Sequence, residues 1–513
     1  MPSRRESCLQ SMLREKIEAT INRAIAVWIA RLTEVVESGF LSWINTSDEI
    51  CQECKILRLQ LSYLAPPILF HIIPSTIYRT FELLNELYHK CIVQVRERGL
   101  KSDFHNICLC ILSSVLFPCF KEFDLLKCRS AFVVNLAFEA LPMICNITSL
   151  TVHTYRRVLP PSFLRVSVLT RLEEFTYHHD CTNDDLSVVS RVCTTLKLLD
   201  IKYSRCVDDV ALDKILCLQD LKSLNIKGTS ISEHGYGRLL QGLPKVTNIS
   251  WTFPTEGIMT LPEEDTMKIT SIEVRFMRMD ILCQKFRNLT RFSLLYLQRG
   301  TDTSDRYDIA LLSQLDNLKI MELNNFDFID NNLVAYFQLS GQKLVELKLE
   351  VVSHLNCAII MRYCKKLKIL SLKENNFIFN SGGYMEVYSE HFRSVETIYL
   401  SLNHGGKEFY SCLQFYTALE TVHLFREGTI DNNFIHTIVN ANGFQNLYVF
   451  DSKLCPIGLQ AAELLITHCP VLWELRELSL WMEINLADIE VLKQRIRREN
   501  LDLTLYINER PFY

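Results

Sequence analysis

The chain has 513 residues, of which 48% are hydrophobic and 22% are charged. These proportions are ordinary for a folded protein and exclude an extensively disordered one. The formal net charge of −4 excludes a bulk electrostatic attraction to nucleic acid or to an anionic membrane. The 19 cysteines are odd in number and spread along the chain, which argues against a disulfide framework and indicates a reducing compartment.

The chain shows neither a secretion signal nor a membrane span. Its first residues lack the apolar segment of a signal peptide. The most apolar run, residues 107–120, is shorter than the roughly 20 residues that a bilayer span needs. We therefore expect a cytoplasmic or nuclear protein that does not contact a membrane.

The first 145 residues are predicted to form a helical module. Residues 11–40 carry one apolar stripe at helical spacing, and Gly39 is a plausible end of that helix. Prolines are tolerated in a first helical turn, so Pro66 and Pro67 are expected to open a short helix, with a second helix following Pro74. Residues 102–145 give further short helices.

From residue 146 to residue 507 the pattern Leu-x-x-Leu-x-Leu recurs about every two dozen residues. One copy is Leu196, Leu199 and Ile201. Asp208 then caps a helix whose apolar face includes Leu212. A strand–turn–helix unit of this kind cannot bury its own apolar face, so the units must stack. The sequence predicts an α/β solenoid of about 14 units, with a parallel sheet on the concave side and helices outside, followed by a tail at 508–513.

Motifs for enzymatic chemistry are not found. The sequence has no nucleophile elbow, phosphate-binding loop, dinucleotide-binding glycine motif or zinc-protease motif. Cys51 and Cys54 form a lone Cys-x-x-Cys pair without a second pair at zinc spacing. The paired acidic residues at 184–185 and 208–209 recur at one repeat position, which favours helix capping over acid–base catalysis. We expect a non-enzymatic protein with no catalytic residues, no cofactor and no metal.

The predicted contact site is a set of side chains on the concave face. Residues between and after the last two leucines of each repeat alternate away from the core. In the C-terminal half these positions hold Tyr399, His423, Phe425 and Trp481, and exposed aromatic residues are typical interface anchors. The alternative is that the C-terminal segment covers them, or that Trp481 packs within the final unit.

The repeats resemble the cysteine-containing leucine-rich-repeat family, as found in F-box/leucine-rich-repeat proteins. The match is carried by Cys181-Thr182-x-Asp184-Asp185-Leu186, by Cys193-x-x-Leu196-x-x-Leu199-x-Ile201 and by Cys206-Val207-Asp208-Asp209-x-x-Leu212. The resemblance implies a leucine-rich-repeat horseshoe that acts as the substrate receptor of a cullin–RING ubiquitin ligase, such as an SCF complex, in ubiquitin-dependent protein catabolism.

That role requires an adaptor-binding box for Skp1 or for an elongin, which would bring the cullin. The segment containing Leu64, Pro66, Leu69 and Ile72 resembles an F-box opening, with Ala65 where a proline is usual. Ile50 and Cys54 have the spacing of an elongin-type box. The alternatives are a helical cap over the first repeat and a leucine-rich-repeat scaffold or regulatory protein with no ligase link.

Overall fold

The computed structural model describes residues 4–38, 40–125, 128, 130–153, 163–253, 258–275, 278–295, 308–329, 332–377, 394–403, 413, 416–428, 430–441 and 444–507. The chain divides into two units, Met1–Ser250 and Trp251–Tyr513. Of the described helices, none combines the length and the apolar content that crossing a bilayer requires.

The N-terminal part of the first unit contains five helices, which are α1 (Arg4–Ser38), α2 (Phe40–Ser62), α3 (Pro66–Glu97), α4 (Lys101–Ser114) and α5 (Ala131–Glu139). Helix α1 packs along α2 and α3, and α4 packs against α2 and α5. The apolar stripe predicted for residues 11–40 supplies this core, because Ile25, Leu32 and Val36 are fully buried.

The predicted helix break at Pro74 is wrong. Helix α3 runs through this proline without interruption. A proline inside a helix removes one backbone hydrogen bond. Pro74 lies on the exposed side of α3, while Ile72, Ile73 and Ile77 beside it are buried. Tertiary packing of this apolar face therefore keeps the helix continuous.

Six parallel strands follow chain order in the first unit: β1 (Glu122–Asp124), β2 (Ser149–His153), β3 (Glu174–His178), β4 (Leu198–Asp200), β5 (Ser223–Asn225) and β6 (Asn248–Trp251, whose last residue belongs to the second unit). Between them lie α6 (Asn183–Val192), α7 (Leu212–Leu216) and α8 (Glu233–Gly242).

Strand β1 was not predicted, and it precedes the boundary that the sequence places at residue 145.

The second unit continues the strand–helix alternation. Its strands are β7 (Ser271–Val274), β8 (Arg291–Leu295), β9 (Ile320–Asn324), β10 (Glu346–Glu350), β11 (Ile369–Lys373), β12 (Thr397–Ser401), β13 (Thr421–Phe425), β14 (Val449–Lys453), β15 (Glu474–Arg476) and β16 (Thr504–Leu505). The described helices are α9 (Glu263–Met267), α10 (Met279–Lys285), α11 (Leu333–Ser340), α12 (Cys357–Tyr363), α13 (Asn432–Asn440), α14 (Leu459–His468) and α15 (Leu486–Glu499).

The leucines of the repeat form the core in both units. In β10 the side chains of Leu347 and Leu349 are buried, and the residues on either side of each are partly exposed. The parallel register aligns Leu347 with Leu370 of β11. This strand–turn–helix stacking confirms the predicted α/β leucine-rich-repeat solenoid with an N-terminal helical region.

Candidate functional site

Two of the four residues predicted to contact a partner, Tyr399 and His423, lie side by side on one face of the sheet in the second unit. The third residue of each strand from β11 to β15 lies in one row, in the order Ser371, Tyr399, His423, Asp451 and Arg476. Their flanking leucine-type positions point into the core, so this row lies on the opposite, exposed face. We refer to these five residues as the central row.

Two aromatic rings stack in the centre of this row. The rings of Tyr399 and His423 are 4.4 Å apart between centroids and inclined by 1°. They meet because the two residues are direct register partners on adjacent strands. The Tyr399 side chain is 41% exposed, so this stack presents apolar area to solvent.

An aspartate fixes the orientation of the histidine. Nδ1 of His423 donates a hydrogen bond to Oδ2 of Asp451 over 2.9 Å. This bond leaves Nε2 as the ring's second hydrogen-bonding atom. Oδ1 of Asp451 is buried and has no hydrogen-bond partner among the described residues. The cluster therefore holds one oriented imidazole and one buried carboxylate oxygen without a hydrogen-bond partner among the described residues.

The charged residues around the stack are paired with each other. Nζ of Lys348 lies 2.9 Å from Oε1 of Glu346, and Nε of Arg476 lies 2.5 Å from Oε2 of Glu474. Further pairs on the same face are Lys373 with Glu350 and Lys453 with Glu477. Because cations and anions alternate, the described residues of this face form no continuous basic strip of the kind that binds a nucleic acid backbone.

The other two predicted contact residues are placed differently from each other. Phe425 ends β13 in a half-buried position, and the guanidinium of Arg426 lies 5.2 Å from its ring centroid. Trp481 is fully buried, and its Nε1 donates a hydrogen bond to the carbonyl oxygen of Arg476. The expectation that Trp481 lies on the exposed wall is therefore wrong.

The error at Trp481 is one of register. Placing Trp481 on the exposed wall assumes a repeat copy whose strand ends at Leu480. The strand is instead β15, in which Leu475 aligns with Phe450 and Leu505. Residues Leu478–Leu480 form a short 3-10 helix after Glu477, which has a positive φ of 57°. Arg476 therefore takes the central-row position of this repeat.

Sequence reasoning missed Asp451 and a second aromatic pair. The copy around Asp451 ends in Ser452 where a leucine is usual, and the pattern Leu447-x-x-Phe450 was the signal that could have placed it. The rings of Tyr448 and Trp473 stack 5.9 Å apart with an inclination of 5°. Burial, with a contribution from Glu474, raises the pKa of Tyr448. These two residues directly precede β14 and β15, outside the alternating positions used for the prediction.

The predicted adaptor-binding residues do not form one surface. Pro66 is exposed at the start of α3 and Leu64 is half-buried, but Leu69 and Ile72 are buried in the helical core. The expectation that all four are available to a partner is therefore wrong. Helical periodicity turns Leu69 and Ile72 towards the same apolar face that α3 uses for its own packing.

A different apolar surface is exposed on α2. Ile56 and Leu59 are 55% and 57% exposed, and Tyr63, just beyond the end of the helix, is 80% exposed. The spacing of three and four residues places them along one side of the helix. We refer to these three residues as the α2 stripe.

The elongin-type spacing falls on the opposite, buried side of α2. Ile50 and Cys54 are both buried. The guanidinium of Arg58, one turn later, donates hydrogen bonds to the carbonyl oxygens of Ser113 and Leu116 and lies 5.0 Å from the ring centroid of Phe117. These three positions hold α2 against the end of α4. Within the described residues, no group of three or more histidine, cysteine, aspartate or glutamate side chains is arranged to hold a metal ion.

Among known proteins, the comparisons found similarity only to solved structures. No protein-family model matches the sequence, and no curated protein is detectably similar to it. A leucine-rich-repeat protein of Leptospira interrogans is 15% identical with a TM-score of 0.34, over 77% of this chain and 91% of that chain. An internalin of Listeria monocytogenes is 11% identical with a TM-score of 0.31, over 72% and 83%.

A third similar structure is the complex of Rad7 and Elc1 in yeast. The matching chain of that structure is 13% identical to this protein with a TM-score of 0.38, and the match covers 81% of this chain and 96% of that chain. Similarities at this level carry no argument about function. The leucine-rich-repeat fold of this protein rests on its own strand register and helix packing.

Proposed function

We propose that this protein is a non-enzymatic recognition subunit that binds a protein partner on the exposed face of β11–β15. The observation that carries the proposal is the stacked pair of Tyr399 and His423, with Asp451 orienting the imidazole. Binding anchors in protein interfaces are often aromatic side chains of this kind, surrounded by polar groups that exclude water.

The surroundings of the stack favour a protein partner over a nucleic acid. The lysines and arginines of this face lie next to carboxylates. Phosphate recognition needs unpaired basic side chains, whereas an apolar centre with a paired polar rim is typical of protein–protein interfaces. The partner would bury the Tyr399 ring and place a hydrogen-bonding group on Nε2 of His423.

The more specific proposal is that the subunit is the substrate receptor of a cullin–RING ubiquitin ligase. It is supported by the resemblance of the repeats to those of F-box/leucine-rich-repeat proteins. It is also supported by the α2 stripe, since exposed apolar side chains on one side of a helix offer an adaptor such as Skp1 or an elongin a surface to cover. The competing function is a scaffold or regulatory protein that binds through the same sheet face but has no adaptor.

The test is a quantitative co-purification of the full chain from cells with separate variants of the two surfaces. We expect Tyr399→Ala combined with His423→Ala to reduce recovery of the sheet-face partner by at least tenfold, because losing a central aromatic anchor costs about 2 kcal/mol or more. The matched control is Leu339→Ala, which removes an exposed apolar side chain from α11, outside the proposed binding face.

The α2 stripe is tested in the same samples. We expect Ile56→Ser combined with Leu59→Ser to remove Skp1 or the elongins together with the cullin, while the sheet-face partner is retained. Val93→Ser on α3 is the control, because Val93 is also 57% exposed. Recovery of a partner without any cullin would leave the scaffold function. Equal recovery by the Tyr399 and His423 double variant and the wild type would contradict the binding site itself.

A further inference from the structure

Three cysteine side chains meet where α2 packs against α4. Cys51 and Cys54 lie on the same side of α2, three residues apart, and Cys110 lies on α4. The thiol of Cys110 is within hydrogen-bonding reach of both the Cys54 and the Cys51 thiols, and its sulfur is 4.0 Å from the carbonyl oxygen of Cys51. Cys51 and Cys110 are partly exposed and Cys54 is buried. We refer to these residues as the thiol cluster.

The electrostatics of the thiol cluster favour one thiolate. Hydrogen bonds from Cys54 and from Cys51, together with the nearby Lys55 ammonium, outweigh burial and lower the pKa of Cys110 to about 6. Burial and the charge on Cys110 raise the pKa of Cys51 to about 11. The hydrogen bond to Cys110, followed by burial, raises the pKa of Cys54. The cluster therefore favours the thiolate form at Cys110 and the neutral form at the other two thiols.

Three other buried cysteines, Cys108, Cys193 and Cys469, have thiols with a raised pKa. Cys108, on the same helix as Cys110, is completely buried, and burial raises the pKa of its thiol. Burial likewise raises the pKa of Cys193 and of Cys469 to about 12. A thiol with a raised pKa and no access to solvent does not react with a peroxide in solution, whereas a partly exposed thiolate next to a second thiol is the arrangement found in oxidation-sensitive sites.

We propose that the thiol cluster is a site of reversible oxidation, in which a hydroperoxide oxidises Cys110 and a disulfide then forms between Cys110 and Cys54, joining α4 to α2. The proposal stands on the contact of the three thiols and on the partial exposure of Cys110. It does not depend on the protein partner or on a ligase adaptor.

The chemistry balances in two steps. With hydrogen peroxide, the Cys110 thiolate attacks one peroxide oxygen, the oxygen–oxygen bond breaks, and hydroxide leaves, so that Cys110 becomes a sulfenic acid. The Cys54 sulfur then attacks the Cys110 sulfur, the sulfur–oxygen bond breaks, and water leaves with the Cys54 proton. Two thiols have supplied the two electrons that reduce the peroxide. A dithiol reductant restores both thiols by exchange and is itself oxidised to a disulfide.

The experiment treats the reduced full chain with hydrogen peroxide, blocks the remaining thiols with iodoacetamide and maps the cross-linked peptides by mass spectrometry. We expect a Cys54–Cys110 disulfide that dithiothreitol reverses. Its rate of formation should rise with pH around 6 and be level by about pH 8, because the reactive species is the thiolate. At pH 7 we expect Cys110 to react roughly tenfold faster than the exposed Cys206.

Three variants make the result decisive. Cys110→Ser should abolish the disulfide, and Cys51→Ser combined with Cys54→Ser should leave Cys110 as a sulfenic acid that dimedone traps. Cys108→Ser, on the same helix, should react like the wild type. The same urea midpoint for the double variant and the wild type would show that the fold is retained. The absence of a cross-link between residues 54 and 110 would overturn the proposal. A rate of disulfide formation that rises only near pH 9 would overturn it as well.

Discussion

Single buried polar side chains connect one repeat to the next. Asn375, which is fully buried, accepts a hydrogen bond at Oδ1 from the backbone N–H of Val352 over 2.8 Å and donates from Nδ2 to the carbonyl oxygen of Leu349 over 2.9 Å. Asn403 accepts in the same way from the N–H of Asn375, and Glu427 accepts from the N–H of Asn403. Each side chain thus satisfies backbone groups of the preceding turn that water cannot reach.

We expect Asn375→Ala to lower the free energy of unfolding by about 2 kcal/mol, because it leaves a buried N–H and a buried carbonyl without partners. The control is Asn376→Ala, since Asn376 has the same side chain at the adjacent, exposed position and should change stability by less than about 0.5 kcal/mol. Urea unfolding of both variants measures the difference. Equal midpoints would mean that the asparagine hydrogen bonds do not support the repeat.

At the scale of single elements, the close approach of neighbouring turns limits the choice of residue. Gly458 immediately precedes α14 and forms an isolated parallel bridge with Glu483. Its N–H donates a hydrogen bond to Oδ1 of Asn432 over 3.0 Å. A Cβ atom at this position would lie 2.5 Å from the carbonyl oxygen of Glu483. The glycine is required by the adjacent backbone and not by its own dihedral angles.

Gly458→Ala is expected to destabilise the protein by about 1–3 kcal/mol, because the backbone around Glu483 must move to accept the methyl group. Gly428→Ala is the matched control, since a Cβ at Gly428 has nothing within 4 Å. Thermal unfolding of the two variants provides the comparison. If the two alanine variants melted together, the close approach at Glu483 would not constrain this turn.

The elements also show why one part of the candidate site could be predicted and another could not. Tyr399 and His423 were placed correctly on adjacent strands because their repeats keep aliphatic residues at every core position. Asp451 was missed and Trp481 was misplaced because the two following repeats depart from that pattern, with Ser452 in one and the Glu477 turn in the other. Local periodicity fixes a register where the pattern is intact, and strand pairing decides it elsewhere.

In the whole first unit, the helical region closes the start of the sheet. Phe123 of β1 is buried, and β1 pairs with β2 through hydrogen bonds from Leu125 N to Thr151 O over 2.8 Å and from Thr148 N to Lys121 O over 2.7 Å. Without β1, the backbone groups at the edge of β2 would lack partners. Helices α3 and α4 in turn pack on α5.

A chain that begins at residue 146 is therefore expected to unfold at a lower urea concentration than the full chain and to associate as its concentration rises, because the edge of β2 is open. Urea unfolding and sedimentation velocity test both effects. A chain that begins at residue 4 serves as the control, since it retains β1 and all the described helices. A monomeric 146–513 chain with the midpoint of the full chain would show that β2 needs no cover.

The sequence by itself determined the repeat, the alternation of strands with helices and the face that carries Tyr399 and His423, because these follow from periodicity within each unit. Tertiary structure alone decided which apolar side chains remain exposed. Hydropathy cannot distinguish Leu59 from Leu69, yet Leu59 is exposed and Leu69 is buried. The contact of Cys110 with the two cysteines of α2 could not be predicted from the sequence either. Cys110 is 59 residues from Cys51 along the chain, so their contact depends on how α2 packs against α4.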